Sequence, residues 1–274
     1  MPEGPEIRLA ADEIAKALVD RPTTEVFFAF DHLKPYEAKL SGRTVTTIET
    51  YGKAMLTRFD NELNIYSHNQ LYGIWKIRKL HDYPNTKRQL RLAIHNEEKS
   101  ALLYSASDIE VLEDWAVQEH PFIKKIGPDL LDPSVTVDQV AVRYISDQFK
   151  RRRLATILLD QGFLAGIGNY LRSEILYVAG VHPKMRPIDC TPEQIQKLAE
   201  ASVRLTRQSY QTKGITNDPE LVKQLKKDGL TRAEYRYFIF NRENKSCYGC
   251  GNPIIKEMHG SRRLYLCEIC QPPN

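Results

Sequence analysis

The chain has 274 residues, of which 42% are hydrophobic and 27% charged, and a formal net charge of +4. That length and balance describe an ordinary globular protein with room for two domains and well-buried cores. No run of eighteen apolar residues is present and the first residues form neither a basic nor an apolar signal region, so no transmembrane span or secretory leader is expected, and the expected compartment is the cytoplasm.

The chain opens MPEGPEIRLA. Ile7, Ala11, Ile14 and Leu18 recur at helical steps with charged residues on the other faces, which predicts an amphipathic helix closed near Asp20 and Pro22. PEGPE itself reads two ways. It is a short solvated lead-in, with Pro5 pre-setting φ for the first turn, or, once Met1 is lost, it exposes on Pro2 a secondary amine able to attack an aldehyde carbon and form an iminium. From Thr24 to about Ser107 the runs TEVFFAF, RTVTTIETYG, AMLTRFD, LNIYSH, GIWKIRK, RLAIHN and SALLYSA alternate with turn residues, which predicts an antiparallel sandwich or barrel. HPFIKKIGPDLLDPS, with three prolines and a glycine, reads as an interdomain linker.

Val137 to about Gln211 reads as helices. Within LATILLDQGFLAGIGNYLRSEILYVAG, residues 155–161 read as one helix, GFLAGIG as a tight pair of turns, and Asn169 as the N-cap of a second helix ended by Gly180. A helix N-terminus offers unpaired N–H groups to a phosphate, and FKRRR just upstream adds four cationic side chains. The same pattern also fits a helical hairpin that packs only on itself. Residues 212–234 are polar and lysine-rich and give no clear element.

From Val222 onward ten Lys or Arg face five Asp or Glu, while the preceding residues are close to neutral. A basic terminal module points to an anionic partner such as nucleic acid, or to a solvated charged surface. CYGC, sixteen residues and CEIC bring Cys247, Cys250, Cys267 and Cys270 to the spacing of a closed, structural tetrahedral zinc site. Paired disulfides or a redox motif are the alternatives. Between the knuckles, PIIKEM and RLYLC flank HGSR, which predicts a hairpin turning near Gly260 and Ser261 with Arg262 and Arg263 at its tip, a shape suited to phosphates or a groove. Cys190 is assigned no role.

LLDQGFLAGIGNYLRSE resembles the helix, two turns, helix signature of the formamidopyrimidine-DNA glycosylase and endonuclease VIII family, which also begins PEGPE or PELPE and ends in a four-cysteine finger with an arginine at its tip. The three motifs keep the family order, so the resemblance spans the whole chain. It implies an α+β multidomain fold: an N-terminal helix plus antiparallel β-sandwich over residues 1–122, a linker over 123–136, a helix-two-turns-helix DNA-binding domain over 137–234 and a β-hairpin zinc finger over 235–274, with DNA in the cleft between the halves. The implied activity is a bifunctional DNA glycosylase and apurinic/apyrimidinic lyase of base excision repair. Its implied cofactor is one structural zinc, with no catalytic metal or redox cofactor; its implied partner is damaged double-stranded DNA, met as a monomer at the bacterial nucleoid and away from membranes.

The resemblance also implies roles for particular residues. Pro2 is similar to the family nucleophile and Glu3 to its general acid, while Glu6 and Glu174 match carboxylates that line the pocket or orient the N-terminus. Lys53, in YGKAML, matches a lysine of proton transfer and phosphate contact; Asn169 and Lys125 match DNA-backbone contacts, and Arg262 matches the finger arginine. Gln70, Leu71 and Tyr72 match a QLY triplet of the endonuclease VIII branch that fills the space left by an extruded base, which implies oxidised pyrimidines such as thymine glycol, removed through a proline iminium and β,δ-elimination. A purine-lesion enzyme of the same family and a non-catalytic zinc-finger DNA-binding protein are the rival readings. Two departures stand out: Arg263 follows the tip arginine where relatives often carry a small residue or proline, so either arginine could take the finger role, and the stretch from Thr212 to Leu230 is longer than usual.

Overall fold

A computed structural model describes residues 2–273, which divide into two compact units on either side of the Lys125–Ile126 bond. The first unit opens with α1 (Gly4–Leu18). Glu3 is its extended N-cap, and the Glu3 N–H donates to Glu6 Oε2 at 3.0 Å within a reciprocal capping box. Ile7, Ala11, Ile14 and Leu18 all bury against the sandwich core, the two isoleucines and the leucine each contributing about 1.5–3 kcal/mol by removal from water and the Ala11 methyl less. This burial keeps the N-terminal end of the helix from fraying.

After α1 come β1 (Glu25–Phe28), a short α2 (Glu37–Leu40), and then β2 (Val45–Tyr51), β3 (Ala54–Phe59), β4 (Leu63–His68), β5 (Ile74–Lys79), β6 (Leu90–His95), β7 (Lys99–Tyr104) and β8 (Asp108–Glu113). They form two antiparallel four-stranded sheets, ordered β1-β6-β7-β5 and β2-β3-β4-β8. Val26, Phe28, Leu92, Ile94 and Leu103 of the first sheet meet Met55, Phe59, Ile65 and Ile109 of the second in one core. The strand-rich region extends further than its sequence pattern indicates. Strand β8 carries Asp108, Glu110 and Glu113 on exposed or half-buried positions, and these acids hide the strand whose Ile109 and Val111 face the core. Two short helices, α3 (Asp114–Val117) and α4 (Pro121–Lys125), complete the unit.

The second unit contains α5 (Val137–Ile145), α6 (Leu154–Ile157), α7 (Asn169–Ala179), α8 (Pro192–Gln211), α9 (Pro219–Lys227), α10 (Arg232–Tyr235) and the hairpin β9 (Ile255–His259) to β10 (Arg262–Leu266). Residues 126–136 are anchored within it. Leu130 is fully buried, and Arg207 of α8 donates to the carbonyl oxygens of Leu130, Asp132 and Val135 at 2.8–3.1 Å. The helix expected over residues 155–161 is a single turn, α6. Asp160 ends it by accepting the Gly162 N–H at 2.9 Å and pairing with Arg152 at 2.8 Å, which turns the backbone out of the helix. Residues 212–234, unassigned by pattern, hold α9, capped by Asp218 through the N–H groups of Glu220 and Leu221.

Candidate active site and nucleic-acid interface

In the first unit Pro2 is partly buried and Glu3 is only 3% exposed, so the chain end is packed rather than solvated. Lys53 lies on the two-residue turn between β2 and β3, where Tyr51 pairs with Ala54. Gly52 takes φ +59° at the first turn position, the glycine-requiring place of a tight hairpin. A lysine on such a turn is ordinarily solvated, yet Lys53 is 8% exposed. His68, paired with Ala54 at the end of β4, senses it. Burial holds the His68 imidazole below its usual pKa, the Asp108 carboxylate opposes that, and the Lys53 charge adds to it.

The triplet Gln70, Leu71 and Tyr72 forms the connection by which the chain crosses from β4 in one sheet to β5 in the other. The Gly73 N–H donates to Asn69 O at 2.7 Å, and a Cβ on Gly73 would lie 2.5 Å from that oxygen, so only glycine closes this loop. Gln70 sits in the left-handed region at φ +49°; its N–H donates to His68 Nδ1 at 2.9 Å and its Oε1 accepts from Ser107 Oγ at 2.7 Å. Arg88 holds the Tyr72 carbonyl at 2.6 Å. On this fixed backbone Leu71 is 49% and Tyr72 66% exposed. Two large apolar side chains held out of the core form a wedge that gains by being covered. His68, overlooked in the sequence reading, is the residue that ties the wedge to the Lys53 hairpin; its signal is adjacency in SHNQLY.

In the second unit Asn169 is the first residue of α7 and Gly168 its N-cap, a shift of one from the sequence expectation that follows from the extended Gly168 backbone. Asn169 is half-buried at this helix start, its Oδ1 3.4 Å from Arg172 Nη2. Arg172, 1% exposed and also missed by pattern, donates to the carbonyl oxygens of Ala155 at 2.9 Å and Arg263 at 2.8 Å. It thereby fastens α6, the start of α7 and the finger hairpin together. Its signal is an arginine set among the apolar Tyr170, Leu171, Ile175 and Leu176 of α7. The hairpin turns at Gly260, φ +62°, and Ser261, with Arg262 opposite His259. Leu264 and Leu266 bury in the core of the unit and the Tyr265 N–H donates to Ser173 Oγ at 3.3 Å, leaving Arg262 and Arg263 exposed at the free end. Lys125 is exposed at the end of α4, beside Lys124, which pairs with Glu119.

Glu174, which the resemblance matches to carboxylates that line the pocket or orient the N-terminus, is fully buried on α7 and accepts hydrogen bonds from Thr216 Oγ1 at 2.6 Å and from the N–H groups of Phe238, Ile239 and Phe240 at 2.8–2.9 Å. Burial raises its pKa and the four donors oppose the rise. Its carboxylate fixes the chain leading into the finger.

The sulfurs of Cys247, Cys250, Cys267 and Cys270 all lie within 4.8 Å of one another. Cys247 and Cys270 are 3.8 Å apart and Cys250 and Cys267 3.4 Å, near the ~3.8 Å that a tetrahedron of zinc–sulfur bonds requires. The Gly249 N–H reaches Cys247 Sγ at 3.4 Å and the Tyr177 hydroxyl lies 3.2 Å from the same sulfur, donors of the kind that stabilise metal-bound thiolates. The donor set fits one structural metal ion.

A sandwich headed by a capped helix and followed by a helix-two-turns-helix unit with a four-cysteine hairpin is the fold of a class of DNA glycosylases. The model of the formamidopyrimidine-DNA glycosylase N-terminal domain matches residues 1–107 and that of the formamidopyrimidine-DNA glycosylase H2TH domain residues 126–219. Proteins called endonuclease 8 from Pectobacterium carotovorum and Escherichia coli are each 45% identical over 99% of this chain and 100% of their own. Crystal structures of the Lactococcus lactis formamidopyrimidine DNA glycosylase, on DNA with an abasic site or with an oxidized pyrimidine, superpose with TM-scores of 0.81 and 0.82 at 18% identity, covering 99% of this chain and 100% of theirs.

The chain belongs to the formamidopyrimidine-DNA glycosylase and endonuclease VIII family. It is a bifunctional DNA glycosylase and apurinic/apyrimidinic lyase of base excision repair. No helix among the described residues is long and apolar enough to cross a membrane.

Proposed function

We propose that the chain removes oxidised pyrimidines from double-stranded DNA through the amine of Pro2, freed by loss of Met1, which lies outside the described residues. The observation that carries this reading is the packed PEGPE end, with Glu3 buried at the N-cap of a helix whose apolar face is locked in the sandwich. An α-amino group of pKa ~8 keeps a usable neutral fraction at neutral pH. The Pro2 lone pair attacks C1′ of the extruded nucleotide, and the C1′–N bond breaks with its electron pair leaving on the base. Glu3 gives a proton as the sugar ring opens and the iminium forms. Loss of the C2′ proton then expels the 3′ phosphate, and a second elimination expels the 5′ phosphate. Lys53, buried on its turn, serves proton transfer and phosphate contact; Glu6 orients the N-terminus through its bond to the Glu3 N–H.

Extruding a base costs a few kcal/mol, less when the base is damaged. The Leu71 and Tyr72 wedge fills the space left behind and supports the pyrimidine reading. Fold alone does not separate it from the purine reading, since the Lactococcus enzyme was also solved with a formamidopyrimidine lesion. Asn169, Lys125 and Arg262 take the DNA backbone, and zinc held by the four cysteines fixes the finger. In this reading the working modules are residues 1–122, a linker 123–136, 137–234 and 235–274, acting as a monomer at the nucleoid. Borohydride trapping tests it. A chain with Met1 demonstrably absent is expected to form a covalent adduct on a thymine glycol duplex, and more of it than on an 8-oxoguanine duplex; no adduct on either rules out the proline mechanism, and a reversed preference rules out the pyrimidine assignment.

A further inference from the structure

A polar row crosses the sheet β1-β6-β7-β5. Glu25 of β1 stands opposite His95 of β6, and His95 opposite Ser100 of β7, so their side chains share one face. The turn after β5 adds His81 above this row. Its backbone is left-handed at φ +55°, its N–H donates to Ser100 Oγ at 3.0 Å, and its ring centroid lies 4.6 Å from that of His95. One ligand atom from each of Glu25, His81 and His95 falls within 4.8 Å of the others. None of these residues takes part in the chemistry described above.

The buried member is held in a ligand-ready state. His95 is fully buried, with Nδ1 2.7 Å from Ser100 Oγ and Nε2 3.3 Å from the Tyr83 hydroxyl. When Nδ1 donates to Ser100, Nε2 carries the lone pair, the arrangement by which a hydrogen-bonded histidine is oriented for a metal.

We propose that Glu25, His81 and His95 form a second metal site, for a borderline divalent ion such as zinc, cobalt or nickel. Two imidazoles and one carboxylate suit such ions, whereas magnesium and calcium prefer all-oxygen shells. Three protein ligands leave a fourth position for water or the Tyr83 hydroxyl. The ion cross-links β1, β6 and the turn at residue 81, and so stabilises the sandwich by mass action.

The test uses the full chain without a polyhistidine tag, dialysed against Zn²⁺ and assayed for bound metal and thermal midpoint. Glu25 and His81 are exposed, so His81→Ala and Glu25→Gln leave the core intact, which matching metal-free midpoints would verify. Wild type is expected to hold one more equivalent of zinc than either variant and to melt higher with zinc added, a rise absent in both. A Cys250→Ser chain is expected to keep this equivalent, which separates the site from the cysteines. Cobalt bound here should lack the thiolate charge-transfer bands of a cysteine site. Equal zinc content and equal midpoints in wild type and His81→Ala overturn the proposal.

Discussion

Two hairpins in this molecule carry a cation at a glycine-headed turn, and they treat it in opposite ways. The turn at Gly52 buries Lys53, while the turn at Gly260 leaves Arg262 exposed. The difference extends to the units that contain them. In the first unit the candidate working groups, Pro2, Glu3 and Lys53, are themselves packed into the framework. In the second the exposed arginine depends on buried polar residues, Arg172 and Glu174, that hold the main chain behind it. Groups that do chemistry gain from restricted geometry and a drier setting, whereas groups that grip phosphates need only a firm base.

Metal removal should break the comparison most completely. A structural zinc supplies about 10–16 kcal/mol to a small finger, about as much as the whole stability of a domain. Chelation or Cys250→Ser is expected to unfold the hairpin and abolish DNA binding, with the near-ultraviolet signal of the sandwich unchanged. Binding that survived chelation would mean the finger is no clamp.

A smaller effect should come from the buried staple. Glu174→Ala strands three N–H groups without their acceptor and leaves the Thr216 hydroxyl only its longer bond to the Arg236 carbonyl at 3.4 Å. Each buried unpaired group costs about 1–3 kcal/mol, so urea unfolding should report a loss of several kcal/mol in the second unit, with Glu174→Gln recovering part of it. Stability unchanged in Glu174→Ala would show that the carboxylate is dispensable to the scaffold. At the hairpin tips the contrast becomes functional. Arg262→Ala should leave stability within about 0.5 kcal/mol and lower the salt slope of DNA binding by about one. Lys53→Ala should slow strand cleavage far more than it weakens binding. If both variants weaken binding alike, the division between packed and exposed cations fails.

The parts of this structure that could be read in the sequence are those with local causes. The period of Ile7, Ala11, Ile14 and Leu18, the glycine turns and the two cysteine knuckles each depend on residues a few positions apart. What was hidden depends on distant partners. Glu174 meets donors at Thr216 and Phe238–Phe240, too remote for any spacing rule to join them. The burial of Lys53 arises from packing around a turn that, as a sequence, resembles any solvated tip. Strand β8 was concealed because its outward acids outweigh its two inward apolar residues, and α6 was overdrawn because Asp160 binds the backbone that the apolar period would have continued.

The smallest expected effect links the packed group to the exposed wedge. His68 Nδ1 accepts the Gln70 N–H, which it can do only while that nitrogen carries no proton. Its folded pKa lies below the ordinary value, mainly because it is buried. Between the unfolded value of about 6.5 and the lower folded one, the unfolded chain therefore holds more protons, and stability rises with pH. The contribution is fully present above about 6.5 and is lost as pH falls through the folded value. His68→Gln keeps an acceptor but has no proton to gain. Its thermal midpoint should fall less on acidification than that of wild type, and so should the protection of the Gln70 amide against hydrogen exchange. Equal acid sensitivity in the two chains would detach the wedge from the buried histidine, and the Leu71 and Tyr72 side chains would then owe their outward placement to Gly73, Arg88 and the Gln70–Ser107 bond.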